Sequence, residues 1–335
     1  MDDSPFPVLL LPYLAICNVL DLFNLRELIH FSFCSKRTQR IASRKPKGRV
    51  EIVLKTDKQS EFEVRLNDSD TYKFRICGMS RNFLSTQIWK PTPIAGMIVP
   101  TKTIESDTAT YWTDALQGID QIGTYLTELL KTPITEIQFL SEKKDNDAMG
   151  IIDSVKSRQN TVGKCSFGQM KYTDRYLTHL LNNLEITDDF NLTAMPSPHF
   201  LYPWSLNCVR LSAQHGEWLT VEHLLNMTCQ YVEIRETKIS NEDLKRFLEH
   251  WQNGGFSSLK YLLLNSEFFD RADITEGMEV EEIPNTVWRR YLGHNGETIR
   301  MPGGNDIKRN DGTIRTVFFK PYYFEFAVRV ERMRV

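Results

Sequence analysis

Residues Pro5–Arg44 read PFPVLLLPYLAICNVLDLFNLRELIHFSFCSKRTQRIASR, and their pattern predicts three short helices. Leu11-Pro12 opens an apolar stretch, Leu14, Ile16, Val19, Leu20, Leu22 and Phe23, that predicts a first helix buried on most of its surface. Asn24 stands at an N-cap position with Glu27 three residues on, the spacing of a capping box. The helix that follows carries Leu25, Leu28, Ile29, Ser32 and Phe33 as a stripe at helical spacing. Ser35 suits the cap of a third helix, with Ile41 on its apolar side and Lys36, Arg37, Arg40 and Arg44 elsewhere. Three such helices bury too little area to stand alone, so the segment calls for a partner surface.

Leu11-Pro12, Val19-Leu20, Leu25-x-x-Leu28-Ile29 and Cys34-Ser35-Lys36-Arg37 resemble an F-box without gaps. With Phe6-Pro7 at its start and Phe31-Ser32-Phe33 before the last element, the run is similar to a nematode-expanded group of F-box proteins carrying an F-box-associated domain. The resemblance implies that Leu11, Pro12, Val19, Leu25, Leu28 and the Ser35–Lys36 turn face a Skp-family linker, and through it cullin and RING subunits. One position departs from the pattern: Thr38 stands where many F-boxes have Trp, which bears on how the linker is gripped.

The chain has 335 residues, 41% of them hydrophobic and 25% charged, which argues against wholesale disorder and for a small domain plus a larger one. A net charge of −2 gives no general reason to expect nucleic acid or an anionic membrane surface as partner. Between Lys36 and Arg49 lie seven basic residues and no acidic one. A solvated helix face followed by a linker at 45–49, marked by Pro46 and Gly48, is the expected account of them, with binding of RNA or an import receptor as the alternative. The six cysteines form no C-x-x-C pair, so they read as reduced thiols. Asp2 and Asp3 precede the apolar Pro7–Leu20 segment with the wrong sign for a signal peptide, and no stretch is apolar enough to cross a bilayer. The expected setting is intracellular, cytoplasm or nucleus.

The expected larger domain covers residues 50–335. Val50–Leu54, Glu61–Leu66 and Thr71–Ile76 predict an antiparallel meander, and Leu116–Leu130 a helix, within a β-rich part at 50–133. The stretch Arg81–Thr110 carries no clear pattern. From 134 to 270 an apolar-x-x-apolar-x-apolar window recurs at Ile134/Ile137/Phe139, Val162/Cys165/Phe167, Leu181/Leu184/Ile186, Leu206/Val209/Leu211, Cys229/Val232/Ile234 and Leu259/Leu262/Leu264. The intervals of 19 to 30 residues fit irregular leucine-rich-repeat-like strand–helix units, although the ladder asparagine of standard repeats is missing. Between them, Val221, Leu224 and Leu225 mark one helix. A second is capped by Ser240 with Asp243 and carries Leu244, Phe247, Leu248 and Trp251 on one face. The last part, 271–335, returns to strands, with Asp311-Gly312 turning a hairpin and Gly303-Gly304 read as a turn. The fold class expected is mixed α/β, with a non-repetitive α/β domain as the alternative to repeats. Leu219-Thr220 through Trp251 and Ile307–Thr313 resemble the type-2 F-box-associated domain, over about Leu206–Val330.

No H-E-x-x-H, G-x-S-x-G or P-loop motif is present, and no histidine pair stands at metal-ligand spacing. The sequence therefore names no catalytic residue, metal or cofactor. Trp204 and Trp218, in loops around the repeats, are candidate anchors for a target protein. The reading is a substrate-recognition subunit of an SCF-type E3 ubiquitin ligase, itself without a catalytic site. The alternatives are a non-ligase F-box scaffold and an enzyme with a cryptic site.

Overall fold

A computed structural model describes residues 8–44, 48–67, 70–79, 89–94, 96–142, 145–171, 174–197, 199–200, 206–266, 269–293, 296–320 and 322–330. The chain is mixed α/β and divides into two compact units, Met1–Phe139 with Lys143–Asn160, and Thr161–Val335 with Leu140–Glu142. The expected linker at 45–49 thus falls inside the first unit, residues 45–47 lying outside the described set.

The first unit starts with helices α1 (Tyr13–Asp21), α2 (Leu25–Phe33) and α3 (Lys36–Arg44). The expected meander follows as β1 (Val50–Thr56), β2 (Ser60–Leu66) and β3 (Asp70–Gly78), with Ile52 opposite Val64 and Val64 opposite Tyr72. The stretch without a clear pattern supplies β4 (Lys90–Ile94), β5 (Met97–Ile104) and β6 (Asp107–Trp112), residues 81–88 lying outside the described set. Helix α4 (Ala115–Leu130) and strand β7 (Glu136–Phe139) come next, then α5 (Asp145–Lys156). The strand order is β7-β1-β2-β3-β6-β5-β4, with β7 parallel to β1 and β6 parallel to β3. Pro91 and Pro93 sit in β4, the strand at the end of that order, where missing N–H donors discourage further pairing.

Strand periodicity sorts the two faces of this sheet. Phe62, Tyr72, Phe74 and Ile76 are buried, and α4 lies over them, close enough that Gly118 abuts Ile76 and Trp112 and Gly123 abuts Phe62. The residues between them form a charge ladder. Glu63 accepts from Lys55 Nζ at 2.5 Å and Arg65 Nε at 2.5 Å, with Lys73 Nζ at 3.5 Å. Burial works to raise the Glu63 carboxyl, and the hydrogen bonds from Lys55 and Arg65 outweigh it, so it lies below the usual range.

In the second unit, β8 (Thr161–Phe167), β9 (Glu185–Leu192), β10 (Arg210–Ala213), β11 (Tyr231–Ile234) and β12 (Tyr261–Asn265) run parallel. Helices α6 (Asp174–Asn183), α7 (Val221–Asn226) and α8 (Asn241–Gln252) lie between them in sequence. Both expected capping boxes form, Asn24 with Glu27 and Ser240 with Asp243. After α9 (Arg271–Thr275), strands β13 (Val280–Leu292), β14 (Thr298–Lys308), β15 (Ile314–Lys320) and β16 (Tyr323–Ala327) complete the order β8-β9-β10-β11-β12-β16-β15-β14-β13. All six cysteines are free thiols, and four of them, Cys77, Cys165, Cys208 and Cys229, are buried.

Two repeat windows are displaced from their expected places. Cys165 and Phe167 stand beside Phe190 and Leu192, so the third strand's apolar pair is Phe190/Leu192 and not Leu184/Ile186. Leu181 belongs to α6, and the polar run Thr187-Asp188-Asp189 inside β9 hides the strand from an apolar pattern. Leu211 and Ala213 pair with Phe190 and Leu192, a shift of two residues, because buried Ala213 is too small to register among large apolar side chains. Gly303-Gly304 is not a turn. Both lie inside β14 at φ 66° and 112°, opposite the irregularity between Ile283 and Trp288 in β13. A side chain at 304 would stand 2.5 Å from Thr316 and 2.9 Å from Phe318, so the bulge needs glycine there.

Gly118 tests which effect governs α4. Alanine raises helix propensity by about 1 kcal/mol, yet its Cβ would lie 2.8 Å from buried Ile76 and Trp112. Overpacking a closed core costs about 1–3 kcal/mol, so Gly118→Ala should lower the urea midpoint despite the better propensity. An unchanged or higher midpoint would show that the sheet face yields to α4.

Candidate docking surface

The three N-terminal helices are seated on the first unit's own sheet through α2. Leu25, Leu28, Ile29 and Ser32 are buried along one face. Phe33 stacks on Tyr125 of α4 at 5.5 Å and meets Phe74 of β3 edge-on at 6.1 Å. Polar contacts fix the same face. The Leu25 N–H donates to the Asp70 carboxylate at 2.7 Å, and His30 Nε2 lies 2.8 Å from the Tyr72 hydroxyl, itself 2.5 Å from Thr108 Oγ1. Ser32 Oγ donates to the Ile29 carbonyl at 2.5 Å and also meets the Tyr125 hydroxyl. Burial pushes the Tyr125 phenol up, keeping it a neutral hydrogen-bonding group.

With α2 so committed, α1 faces two ways. Ile16 and Leu20, one turn apart, point into the helical core. The expectation of a helix buried on most of its surface does not hold, since Leu10, Leu14 and Leu22 are 81%, 76% and 84% exposed. Tyr13 and Pro12 are exposed beside them. Pro12 is the N-cap at φ −55° and ψ 147°, so the chain enters α1 with its torsion already restricted. The guanidinium of Arg37 donates to the Leu9 carbonyl at 3.1 Å, tying the turn that carries Leu10 to α3. Lys36, Arg37 and Arg40 are exposed on α3, giving this surface a basic neighbour.

The positions implied by resemblance divide accordingly. Pro12, Ser35 and Lys36 are exposed, Leu11 and Val19 half-buried, and Leu25 and Leu28 buried inside the chain. The last two hold helices together. Leu10, Leu14 and Leu22 are the exposed apolar residues that the sequence pattern did not single out, and the signal for them was that a nine-residue helix cannot bury every side in so small a unit. Thr38 is buried and has a local task. It accepts from the Ser35 N–H at 2.8 Å, and its own N–H donates to Ser35 Oγ at 3.1 Å, so the pair caps α3.

On the second unit, Trp218 is 3% exposed and packs edge-on to Phe200 at 5.4 Å and His223 at 5.8 Å. It is a core residue and offers no surface to a target. Trp204 lies outside the described residues. Among the described residues, the exposed indole on this unit is Trp288, beside the β13 irregularity and next to exposed Val287. Among the described residues no three His, Cys, Asp or Glu side chains are grouped to hold a metal, and no helix is long and apolar enough to cross a membrane.

Comparison with known proteins bears directly on this surface. Residues 8–49 match the F-box domain family and residues 197–264 match the F-box associated family. Residues 8–49 are thus an F-box, and residues 197–264 belong to an F-box-associated domain. The F-box match spans α1 to α3, and the second match spans β10 to β12 with their helices, ending short of the Val330 limit expected from resemblance. The chain is 26% identical to the Skn-1 dependent zygotic transcript 15 protein of Caenorhabditis elegans, over 60% of this chain and 59% of that protein. A second, uncharacterized Caenorhabditis elegans protein is 20% identical over 95% of this chain and 75% of its own length. The E3 ubiquitin-protein ligase hecw-1 of the same organism is 27% identical over 30% of this chain, a stretch that is 8% of that protein. No solved structure matches the chain.

The surroundings of His30 predict a pH-dependent seating of the F-box. Burial, then the charges of Arg26 and Lys90, push its imidazole below the ordinary value. Below about pH 6.5 the unfolded chain therefore binds this proton more readily than the folded one. The contribution is fully present above that value and is lost as pH falls through the lower folded value. Urea midpoints should fall between about pH 7 and pH 5, and His30→Gln should flatten the slope in that window. Parallel slopes for the two proteins would remove His30 from the account.

Proposed function

We propose that this chain is the substrate-recognition subunit of an SCF-type ubiquitin ligase. The F-box docks on a Skp-family linker, and through it on cullin and RING subunits. The larger part of the chain holds the target protein. The reading assigns the chain no bond chemistry. The ligase raises the effective concentration of a charged ubiquitin carrier near target lysines, and the receptor supplies position. The intracellular setting follows from that role and agrees with six free thiols.

The observation that supports the reading best is the uncovered leucine surface. Leu10, Leu14 and Leu22 project from α1 and the turn before it, whose buried side packs into the helical core that α2 seats on the chain's own sheet. Exposed apolar side chains grouped beside basic ones suit a partner that is apolar in the middle and acidic at its border.

Co-expression with a Skp-family linker tests it. The wild-type chain should form a stable one-to-one complex. Leu10→Asp/Leu14→Asp/Leu22→Asp should lose the complex with an unchanged melting temperature, because all three side chains are solvated in the free chain. Leu28→Ala is the contrasting variant, expected to unfold more easily by about 2–5 kcal/mol through loss of a buried side chain. A triple variant that still co-purifies with the linker would sink the docking reading. A complex that captures linker but no cullin would turn it into the scaffold.

A further inference from the structure

A crevice of about 910 Å³ opens in the second unit beyond the carboxyl ends of β11 and β12, where the parallel run meets antiparallel β16. Ligands collect at this end of α/β sheets because the connections leaving neighbouring strands part there. Exposed aromatic rings form one wall, Tyr322 at 60% and Tyr323 at 40%. Facing groups are Glu217 and Glu236, both half-exposed; the Lys238 ammonium lies 3.0 Å from Glu217, and the His215 imidazole Nδ1 lies 2.5 Å from Glu236. Glu236 is held at the rim in the left-handed region at φ 49°, its neighbour's carbonyl (Arg235) accepting from the Gly216 N–H at 2.8 Å. Asn265 and Ser266 add neutral hydrogen-bonding groups between the two walls.

The charges decide what kind of guest fits. Two carboxylates face one permanent cation, Lys238, with only an imidazole, His215, on the second of them, and tyrosine faces attract cations. The amino end of α8 also reaches this wall at Ser240 and Asn241, and it would favour an anion if it were free. It is not free. Asp243 accepts from the Ser240 N–H at 3.0 Å and Glu242 stands in the same turn, so the chain has already supplied the negative charge.

We propose that this crevice binds a basic, extended peptide segment of the target protein. An arginine or lysine of that segment displaces Lys238 from Glu217 and lies against Tyr322 and Tyr323. The identity of the guest as target rests on the receptor reading above, while the basic-peptide chemistry rests on the crevice alone. Lys238 is the crevice's own cation, and removing it should help a basic guest.

Fluorescence polarisation with the full chain tests this, using a labelled arginine-bearing glycine-serine-leucine peptide and its glutamate counterpart at physiological salt. The arginine peptide should bind, and Glu217→Gln/Glu236→Gln should weaken it about tenfold. Tyr322→Ala/Tyr323→Ala should weaken it several-fold, and Lys238→Met should strengthen it. Linker co-purification is measured on each variant, and all should retain it, since none lies in the F-box. Arginine-peptide binding that ignores all these substitutions, or no binding at all, overturns the proposal. So does tighter binding of the glutamate peptide that falls with Lys238→Met. Failure of the chain to bind linker, with arginine-peptide binding intact, would overturn the receptor reading and leave the basic-peptide site standing.

Discussion

Phe33 seated between Tyr125 and Phe74 is the contact on which the functional end of this protein depends. Three helices of nine residues each cannot bury enough area to hold one arrangement. Here α2 borrows the core of the meander, and the polar links from Leu25, His30 and Ser32 to Asp70, Tyr72 and Tyr125 fix its rotation. Once the face carrying Leu28 and Ile29 is turned inward, the loop and helix before it have no sheet left to cover them. Leu14 and Leu22 stay in water as a consequence of where Phe33 went, and this exposed leucine surface is left over because α2 already has its partner in the same chain.

The second unit solves a different problem with the same alternation. Phe190, Leu211, Val232 and Leu262 line up across four parallel strands and are buried, as are Leu192, Ala213, Ile234 and Leu264 two residues on. Trp251 and Phe247 of α8 meet Phe326 edge-on, so the helical layer also seals the antiparallel strand beside β12. The intervening side chains Tyr231 and Tyr261 gather with Tyr291, Met301 and Phe318, because the long β13–β14 hairpin returns over them. With stretches of both faces occupied, the strand ends beside β16 offer an opening that needs no rearrangement of the core.

Elements with a strong local period were legible from sequence: the capping boxes at Asn24 and Ser240, the meander, α4, and strands at Cys165, Val232 and Leu262. What failed did so for identifiable reasons. Ala213 buries completely without looking apolar enough, and β9 carries Asp188 and Asp189 within a strand, so two windows slid. Gly303-Gly304 looked like a turn because positive φ serves bulges as well as turns. Thr38 was visible as a departure from the family pattern, but its capping role requires the Ser35 geometry. The exposed leucines Leu14 and Leu22 were placed in the interior because an apolar helix reads the same whether it is buried by its own chain or left in water. Trp218 and Trp288 show the same ambiguity from the other side. Composition alone does not tell a core indole from a surface one, and the crevice joins residues far apart in sequence, Glu217 and Tyr322, that no motif links.

Magnitudes show why the seating matters for docking. Burying a leucine contributes roughly 1.5–3 kcal/mol, so three supply roughly 5–9 kcal/mol. Association itself costs about 4–15 kcal/mol in lost translational and rotational freedom. The leucines thus come near to cancelling that term and little more. If α1 and α2 also had to be ordered on contact, each residue would add about 1–2 kcal/mol of backbone entropy, and a nine-residue helix would exceed everything the leucines provide. Docking is favourable only if that ordering has been met beforehand by the chain's own sheet. In the proposed docking, the surplus that gives affinity would then come from Tyr13, Pro12 and the basic face of α3, where contacts add without further ordering of the backbone. The same aromatic contacts that look purely structural, Phe33 on Tyr125 and Phe74, therefore set how much of the leucine surface is available as binding free energy.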